Sequence, residues 1–285
     1  MDAKLQKRVQ RYGWDKAAAT YEAGWKESLA DAQAELLDLA RPMPGERVLD
    51  LACGTGLVSL RLADAVGPSG QVVATDISDR MIDHIRRVAI ALGLTQVDAF
   101  RAEAETLDMV PDASFDLVTC ALGLMYVTDT ATAIAEAYRV LKPGGRAVFA
   151  VWGERAKCGW ADLFPIVDAR VRSEVCPLFF RLGTGSTLAR EMEAAGFADI
   201  ETSRVTSRLP YADDAAALEA AFVGGPVALA YDRFDEATRD AAHREYLASI
   251  AAFRGPTGYR IPGEFVICKG WTREQKTVST DPPTE

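Results

Sequence analysis

The segment VLDLACGTGLVSL, residues 48–60, constrains the fold of this chain more than any other stretch. It has the pattern of an apolar strand that ends in a Gly-x-Gly turn and continues as a helix. Glycine allows a tight turn and a close approach of the backbone to a ligand, because it has no Cβ. The segment therefore predicts a ligand-binding turn, whose ligand could be a dinucleotide, a phosphate or another adenosine-bearing molecule.

Strand-like and helix-like runs alternate after this segment. Helical spacing of apolar residues covers residues 3–40, and RPMPGE at 41–46 interrupts it with two prolines and a glycine. The alternation beyond this break predicts an α/β fold with a parallel, doubly wound sheet covered by helices on both faces. The predicted strands are residues 47–52, 71–77, 97–102, 115–122, 146–152, 198–209 and 258–271, and the predicted helices include 79–93, 130–141 and 185–197.

The same pattern divides the chain into five predicted segments. An N-terminal helical lid covers residues 1–40 and precedes a ligand-binding core at 41–210. An alanine-rich helical cap, residues 211–257, is inserted before the final core strand at 258–272. The tail at 273–285 has almost no apolar residues, and we expect it to be disordered.

Composition narrows the possible functions. The 285 residues suffice for one large domain, or for one domain with a smaller elaboration. The net charge of −9 argues against nucleic-acid binding, which needs an excess of Lys and Arg to neutralise phosphates. No run approaches the roughly 18 apolar residues of a membrane span, and the basic N-terminus lacks the apolar stretch of a signal peptide. These features predict a soluble, cytoplasmic protein without a membrane span.

The cysteines and histidines argue against a metal centre. The cysteines are odd in number, scattered and without a Cys-x-x-Cys pair, and the two histidines are His84 and His243. This pattern is typical of reduced thiols in the cytoplasm rather than of disulfides or a zinc site, so we predict no metal. The cysteines are Cys53, Cys120, Cys158, Cys176 and Cys268.

Polar residues around the glycine turn indicate which ligand it binds. Gly54 and Gly56 form the turn, but the third glycine of the dinucleotide fingerprint would fall at Ser59. Asp76 follows Gly56 by twenty residues, at the end of the second strand, where a carboxylate can accept hydrogen bonds from both ribose hydroxyls. Asp50 precedes the turn and can hold the loop or accept from an ammonium group.

Four motifs, in order along the chain, resemble those of class I S-adenosylmethionine-dependent methyltransferases. Within that class, the chain is most similar to the ubiquinone/menaquinone-biosynthesis methyltransferases. The resemblance covers roughly residues 45–153. Its motifs are DLACGTG (50–56), VVATDIS (72–78), AEAETLDMVPDASFD (102–116) and EAYRVLKPGGRAVFAVW (136–152).

This resemblance implies a Rossmann-like sheet of seven strands, the last one antiparallel, and S-adenosyl-L-methionine as the cofactor. Asp76 would bind the ribose, Glu103 with Ala104 the adenine, and the glycine turn the methionine portion. Two positions depart from the family pattern, since Ala52 replaces the first glycine and Glu103 an aspartate. The implied cofactor-binding residues are Asp50, Ala52, Gly54, Thr55, Gly56, Asp76, Ile77, Met81, Glu103, Ala104, Glu105, Cys120 and Tyr21.

Aromatic residues indicate where a methyl acceptor would bind. Several of those near the N-terminus fall on one helical face, which fits either a packed amphipathic helix or a lid over the cofactor and substrate. Two more follow the fourth and fifth strands, at the edge where ligands of such sheets bind. The predicted substrate-binding residues are Tyr12, Trp25, Tyr126 and Trp152.

The sequence identifies no certain catalytic residue. Displacement at a methyl carbon needs mainly alignment and exclusion of water, and a base is needed only when the acceptor arrives protonated. The two candidates for such a base are Tyr126 and His243, of which His243 equally fits an exposed helix position.

The predicted activity is transfer of the methyl group of S-adenosylmethionine to an oxygen, nitrogen or carbon atom of a small aromatic or apolar acceptor. The size of the cap favours a small-molecule partner over a protein or a nucleic acid. Two alternatives stay open: a nicotinamide-dependent oxidoreductase, and a regulatory protein that binds the cofactor without catalysis. The oligomeric state, monomer or homodimer, and the identity of the acceptor also stay open.

Overall fold

A mixed β-sheet forms the centre of the fold. The computed structural model of the protein describes residues 3–171, 179–225 and 227–273. Its strands are β1 (Arg47–Leu51), β2 (Gln71–Asp76), β3 (Val97–Arg101), β4 (Phe115–Ala121), β5 (Leu141–Trp152), β6 (Ala198–Tyr211), β7 (Arg254–Gly255) and β8 (Gly258–Trp271). They lie in the order β3-β2-β1-β4-β5-β8-β6, and the two-residue β7 pairs with β8.

The strand directions confirm the predicted doubly wound α/β fold. Strand β1 pairs in parallel with β2 on one side and with β4 on the other, so the winding of the chain reverses between them. Ligands of such sheets bind at this switch point, outside the carboxyl ends of the strands. Strand β8 runs antiparallel to both β5 and β6, which confirms the predicted antiparallel last strand.

Helices cover the sheet, and several begin at a polar cap. Ser78 Oγ accepts a hydrogen bond from the Met81 amide at 3.2 Å, and the Asp129 and Asp235 carboxylates cap two further helices in the same way. The helices are α1 (Ala3–Ala17), α2 (Tyr21–Trp25), α3 (Ala30–Ala40), α4 (Ser59–Val66), α5 (Asp79–Ala91), α6 (Thr130–Val140), α7 (Leu163–Asp168), α8 (Thr187–Ala194), α9 (Asp214–Phe222), α10 (Ala228–Tyr231) and α11 (Glu236–Ser249).

The N-terminal region, predicted to be helical over residues 3–40, is not one continuous helix. It forms three helices, because turns at 18–20 and 26–29 redirect the chain and place Trp25 and Leu29 in the core. Helix α3 packs against β4, β5, β6 and β8, so it belongs to the layer that covers the sheet. Helices α1 and α2 instead contact α5, α9 and α10.

The alanine-rich region contains α9, α10 and α11, which lie in the chain between β6 and β8. Helix α9 packs against α2 and helix α10 against α1, so this region supports the N-terminal helices. The division into lid, core and cap stays a proposal. The predicted disordered tail lies outside the described residues beyond position 273. Among the described residues, no helix is both long and apolar enough to cross a membrane.

Strand β5 begins five residues before the predicted start at 146. Leu141 already pairs with Phe115 of β4, and a register irregularity follows between Phe115 and Leu117. The KPGG sequence after Leu141 contains proline and glycine residues, which are typical of turns. Within β5, residues 142–145 lie between the partners of Phe115 and Leu117, and Gly144 has a positive φ of 76°.

A buried arginine fastens α3 to the sheet. Arg146 of β5 donates from Nε to the Ala40 carbonyl oxygen at 2.6 Å and from Nη2 to the Arg41 carbonyl oxygen at 2.8 Å. Its two terminal nitrogens also bind both oxygens of Glu46, at 2.7 and 2.8 Å. The guanidinium thereby satisfies the last carbonyls of α3, which no intrahelical amide can reach.

We expect Arg146→Gln to lower the free energy of unfolding by about 3–5 kcal/mol, because it leaves the Glu46 carboxylate and two carbonyl groups without their partner. Urea unfolding measures this loss. The matched control is Arg155→Gln, which removes an exposed pair with Asp162 at 3.7 Å and should cost less than about 1 kcal/mol. Equal losses in the two variants would contradict the role of Arg146.

Candidate active site

The glycine turn leaves β1 in a left-handed backbone conformation. Ala52, Gly54 and Gly56 have φ angles of 51°, 56° and 94°. At Gly56 a Cβ would also lie 2.8 Å from Ile85 Cδ1, so both the backbone and the packing require glycine. At Gly54 a Cβ would have room, with Tyr21 Cε1 at 4.0 Å, so the left-handed φ is the main reason for glycine there.

Ala52 stands where the family has its first glycine. Its methyl group has space because residue 123 is a glycine. A Cβ on Gly123, after β4, would lie only 2.4 Å from Ala52 Cβ. Gly123 itself has a φ of −101°, which any residue adopts, so packing alone requires glycine at this position. The methyl group of Ala52 therefore fills space that a side chain at position 123 would otherwise need.

Asp76 ends β2 beside the turn. Its Oδ2 accepts from the Gly54 amide at 2.9 Å and its Oδ1 from the Ser78 amide at 2.8 Å. The side chain is nearly buried, and this burial raises the pKa of Asp76 to about 6, although the two amide donors oppose the rise. The carboxylate lines the cavity described below, where its remaining lone pairs can accept from ligand hydroxyls.

Asp50 lies beneath the turn rather than in the cavity. Its Oδ2 accepts from Ser59 Oγ at 2.5 Å and its Oδ1 from Thr119 Oγ1 at 2.7 Å. Burial raises the pKa of Asp50 to about 6, and these two hydroxyl donors oppose the rise. Ser59, which stands where a dinucleotide site would have its third glycine, thus has a structural role as a donor to Asp50.

One cavity opens at the carboxyl ends of β1, β2 and β4 and has a volume of about 1020 Å³ with its mouth included. It has an acidic side, formed by Asp76, Glu103 and Glu105. Ile77, Met81, Ala102, Ala104 and Thr128 also line the cavity. Its aromatic wall is formed by Trp14, Tyr21, Trp25, Tyr126, Trp152 and Trp160.

A lysine of α1 neutralises part of the acidic side. Lys7 Nζ lies 2.7 Å from Glu103 Oε2 and 3.2 Å from Glu105 Oε2. Glu105 Oε1 also accepts from the amides of Thr128 and Asp129, at 2.9 and 3.0 Å, so this carboxylate holds a loop at the rim. Lys7 was not predicted from the sequence, because 96 residues separate it from Glu103 and nothing in the local pattern connects them.

Two further contacts hold α1 beside Asp76. Ser78 Oγ donates to Asp15 Oδ1 at 2.6 Å, and Arg11 forms an ion pair with Asp79. Arg11 and Asp15 lie in α1, whereas Ser78 and Asp79 lie at the start of α5, directly after β2. The N-terminal helix is therefore attached to the element that carries Asp76.

The aromatic wall is a connected group of rings. The rings of Trp152 and Trp160 have centroids 4.7 Å apart, and each lies 6.2 Å from the ring of Trp25. Trp14 of α1 contacts Tyr126 in an edge-to-face arrangement at 4.9 Å. Trp160 was missed because it lies in the segment after Trp152 that has no helical or strand periodicity.

Several predicted site residues do not line the cavity. Besides Asp50 and Gly56, these are Thr55 and Cys120, which are buried below it, and Tyr12, which is 53% exposed. The thiol of Cys120 is buried, and this burial raises its pKa to about 12, although hydrogen bonds with the Gly123 and Leu124 backbone oppose the rise.

His243 lies in α11, and it packs away from the cavity. Its Nε2 is 2.9 Å from the Tyr231 hydroxyl, and burial lowers the pKa of its imidazole. This arrangement favours a structural role. No group of three or more potential metal-binding side chains occurs in residues 3–171, 179–225 and 227–273. Of the predicted free cysteines, Cys176 lies outside the described residues.

Comparison with known proteins agrees with this geometry. Residues 25–156 match the ubiE/COQ5 methyltransferase family. The chain is 45% identical over 111 residues to the ubiquinone/menaquinone biosynthesis C-methyltransferase UbiE of Teredinibacter turnerae, an alignment that covers 39% of this chain and 44% of that protein. It is 33% identical over 148 residues to the aklanonic acid methyltransferase DauC of Streptomyces sp. strain C5, covering 52% and 66%. The predicted resemblance to S-adenosylmethionine-dependent methyltransferases is confirmed.

The likeness to these relatives is partial, whereas the likeness to solved structures extends over most of the chain. The chain spans 41–44% of the length of the first curated relatives it matches. The YcgJ protein of Bacillus subtilis superposes with a TM-score of 0.60 at 18% identity, covering 86% of this chain and 99% of that one. The cyclase SpnF superposes with a TM-score of 0.59 at 19% identity, covering 95% of both chains. These structures confirm the fold.

We expect Gly123→Ala to lower the free energy of unfolding by about 1–3 kcal/mol through overpacking against Ala52. Adding Ala52→Gly should recover much of this loss, because it removes the closest clash. Urea unfolding of both single variants and the double variant forms a complete mutant cycle. Strictly additive effects would contradict the shared space of these two positions.

Proposed function

We propose that this protein transfers the methyl group of S-adenosylmethionine to a small aromatic or apolar acceptor. The observation that carries the proposal is a single cavity that combines an acidic side at the switch point of the sheet with an aromatic wall. The family match over residues 25–156 supports it, because that stretch contains the acidic side and three of the six residues of the aromatic wall.

The charges around the cavity favour this cofactor over a dinucleotide. Three carboxylates, those of Asp76, Glu103 and Glu105, line it, whereas Lys7 supplies one positive charge and is already paired with two of them. A pyrophosphate would be repelled by this arrangement, while a sulfonium cation with ribose hydroxyls and an amino group would be attracted. Ser59 at the third glycine position also disfavours the nicotinamide-dependent alternative, because its hydroxyl is committed to Asp50.

The residues of the chain have separate roles in this proposal. Asp76 accepts from the ribose hydroxyls, and Glu103 with the Ala104 amide contacts the adenine. Ile77 and Met81 provide apolar contacts for the base, since both line the cavity directly after β2. The turn at Ala52 and Gly54 brings the backbone close to the methionine portion.

When bound, S-adenosylmethionine supplies a methyl group on a positively charged sulfur, which is already a good leaving group. The chain then has to align the acceptor and exclude water. Helices α1 and α2 contribute Trp14, Tyr21 and Trp25 to this enclosure. Tyr126 lines the cavity and is the remaining candidate for moving a proton, whereas the position of His243 argues against that role.

The fold alone does not specify methyl transfer, since SpnF is a cyclase with a similar fold. The decisive experiment therefore measures the reaction. Isothermal titration with S-adenosylhomocysteine and with NAD(H) should show saturable binding of the former alone. Incubation with methyl-labelled S-adenosylmethionine and a panel of phenols, quinols and amines should then transfer label to an acceptor. Tight binding of NAD(H) would contradict the proposal, and saturable cofactor binding without any transfer would favour the regulatory alternative.

We expect the affinity for S-adenosylhomocysteine to fall about tenfold between pH 8 and pH 5. The ionised Asp76 carboxylate accepts from ribose hydroxyls, and its pKa of about 6 leaves roughly a tenth of it ionised at pH 5. The pKa of Asp76 is higher in the folded protein than in the unfolded chain. Its contribution to the free energy of unfolding is therefore largest below the unfolded-state pKa, and it is lost as the pH rises through about 6. Unfolding linked to this group therefore does not explain weaker binding at pH 5.

Titration calorimetry at the two pH values checks this expectation. Asp76→Asn should bind about 10–100-fold more weakly at pH 8, because it loses a charged acceptor, and should show little further change at pH 5. Asp83→Asn on the exposed face of α5 is the control and should retain the wild-type pH dependence. A pH dependence that survives in Asp76→Asn would assign it to another group.

A cytoplasmic location is part of the same proposal. The described cysteines Cys53, Cys120, Cys158 and Cys268 are free thiols, which supports a reducing environment. The net charge of −9 supports a small molecule rather than a nucleic acid as the partner.

A further inference from the structure

One indole of the aromatic wall has an unpaired N–H group. Trp160 is only 4% exposed and lines the cavity. Its Nε1 is buried, and none of the described residues accepts a hydrogen bond from it. Trp25 provides the contrast within the same wall, because its Nε1 donates to the Gly224 carbonyl oxygen at 2.9 Å.

The described rings around Trp160 do not supply the missing acceptor. Its ring lies against the rings of Trp25, Trp152 and Phe179, with centroids 6.2, 4.7 and 5.7 Å away. These described neighbours are apolar rings, and a buried donor without a partner costs about 1–3 kcal/mol. Such a cost in a native structure calls for an explanation, and a ligand in the adjoining cavity provides one.

We propose that Trp160 Nε1–H donates a hydrogen bond to an oxygen atom of the methyl acceptor and thereby orients the acceptor ring in the aromatic wall. This assignment rests on the function proposed above and adds a specificity-determining residue to it. The rings of Trp25 and Trp152 bury the faces and edges of the acceptor, while Trp160 distinguishes its oxygen-bearing end.

The same donor argues against a cationic acceptor. Aromatic walls also bind ammonium groups, through the negative faces of their rings. An indole N–H, however, is a donor only and presents the positive end of its dipole, which attracts an oxygen and repels a cation. In the proposed function the carboxylates of Asp76 and Glu103 bind the cofactor rather than the acceptor.

The test compares two bicyclic probes that differ in one oxygen, 1-tetralone and its hydrocarbon counterpart tetralin. Binding is measured by titration calorimetry in the presence of saturating S-adenosylhomocysteine. Trp160→Phe keeps a ring but removes the N–H, so 1-tetralone should bind about 5–30-fold more weakly, as expected for one lost hydrogen bond in a buried site. Tetralin should change by less than about twofold, and binding of S-adenosylhomocysteine should be unchanged.

Trp25→Phe is the matched control, because it makes the same replacement in a neighbouring ring whose N–H is already bonded to the protein. It should affect 1-tetralone and tetralin alike. A direct readout uses ¹⁵N-labelled wild-type protein, in which the Trp160 indole resonance is identified by its loss in Trp160→Phe. The indole proton should move further downfield with 1-tetralone than with tetralin, because a hydrogen bond deshields the proton in addition to the ring-current effect of either probe.

Three results would overturn the assignment: an equal effect of Trp160→Phe on both probes, an indole proton that moves no further downfield with 1-tetralone than with tetralin, or tighter binding of phenyltrimethylammonium than of 1-tetralone. If Trp160→Phe fails to fold, the Trp160 resonance is the one that remains after Trp25→Phe and the other tryptophan variants have identified theirs. The titration of the wild-type protein then decides the test. Failure of the wild-type protein to bind S-adenosylhomocysteine is a separate result that contradicts the proposed function itself.

Discussion

A carboxylate buried beneath the glycine turn determines the geometry on which the site depends. Asp50 of β1 receives hydrogen bonds from Ser59 at the start of α4 and from Thr119 of β4, and thereby joins three elements around the glycine turn. Burial raises its pKa, and the two hydroxyls offset part of the cost of keeping a charge there. With these elements fixed, Gly54 can direct its amide to Asp76. Asp76, which lines the cavity, is thus positioned with the help of a second carboxylate that does not line it.

In the proposed function, one side of the cavity recognises the cofactor and the other recognises the acceptor. Its acidic side is built at the carboxyl ends of parallel strands, where the fold concentrates polar side chains. Its aromatic wall draws on elements distant in sequence, including Trp25 of α2 and Trp160 in the segment after β5. Electrostatics on one side and ring packing on the other explain how a cationic cofactor and an apolar acceptor could occupy one enclosure.

The N-terminal helix connects these two parts. It contributes Lys7 to the acidic side and Trp14 to the aromatic wall, and its Asp15 accepts a hydrogen bond from Ser78, two residues after Asp76. Helix α10 of the alanine-rich region also packs against α1. The enclosure therefore depends on polar contacts between α1 and the core, which are weaker and more exposed than the packing of the sheet.

The sequence by itself determined the order of strands and helices, the glycine turn and the place of Asp76 at the end of a strand. These are local properties, because each is visible within a short segment of the chain. Periodicity predicts the elements, glycines mark the left-handed turn, and the spacing from Gly56 to Asp76 places the carboxylate. Only the tertiary structure decided that Ser59 binds Asp50, that Gly123 makes room for Ala52, and that Lys7 and Trp160 reach the cavity while His243 does not. Each of these facts depends on a contact between elements far apart in the chain, and such contacts follow from packing rather than from any local pattern of residues.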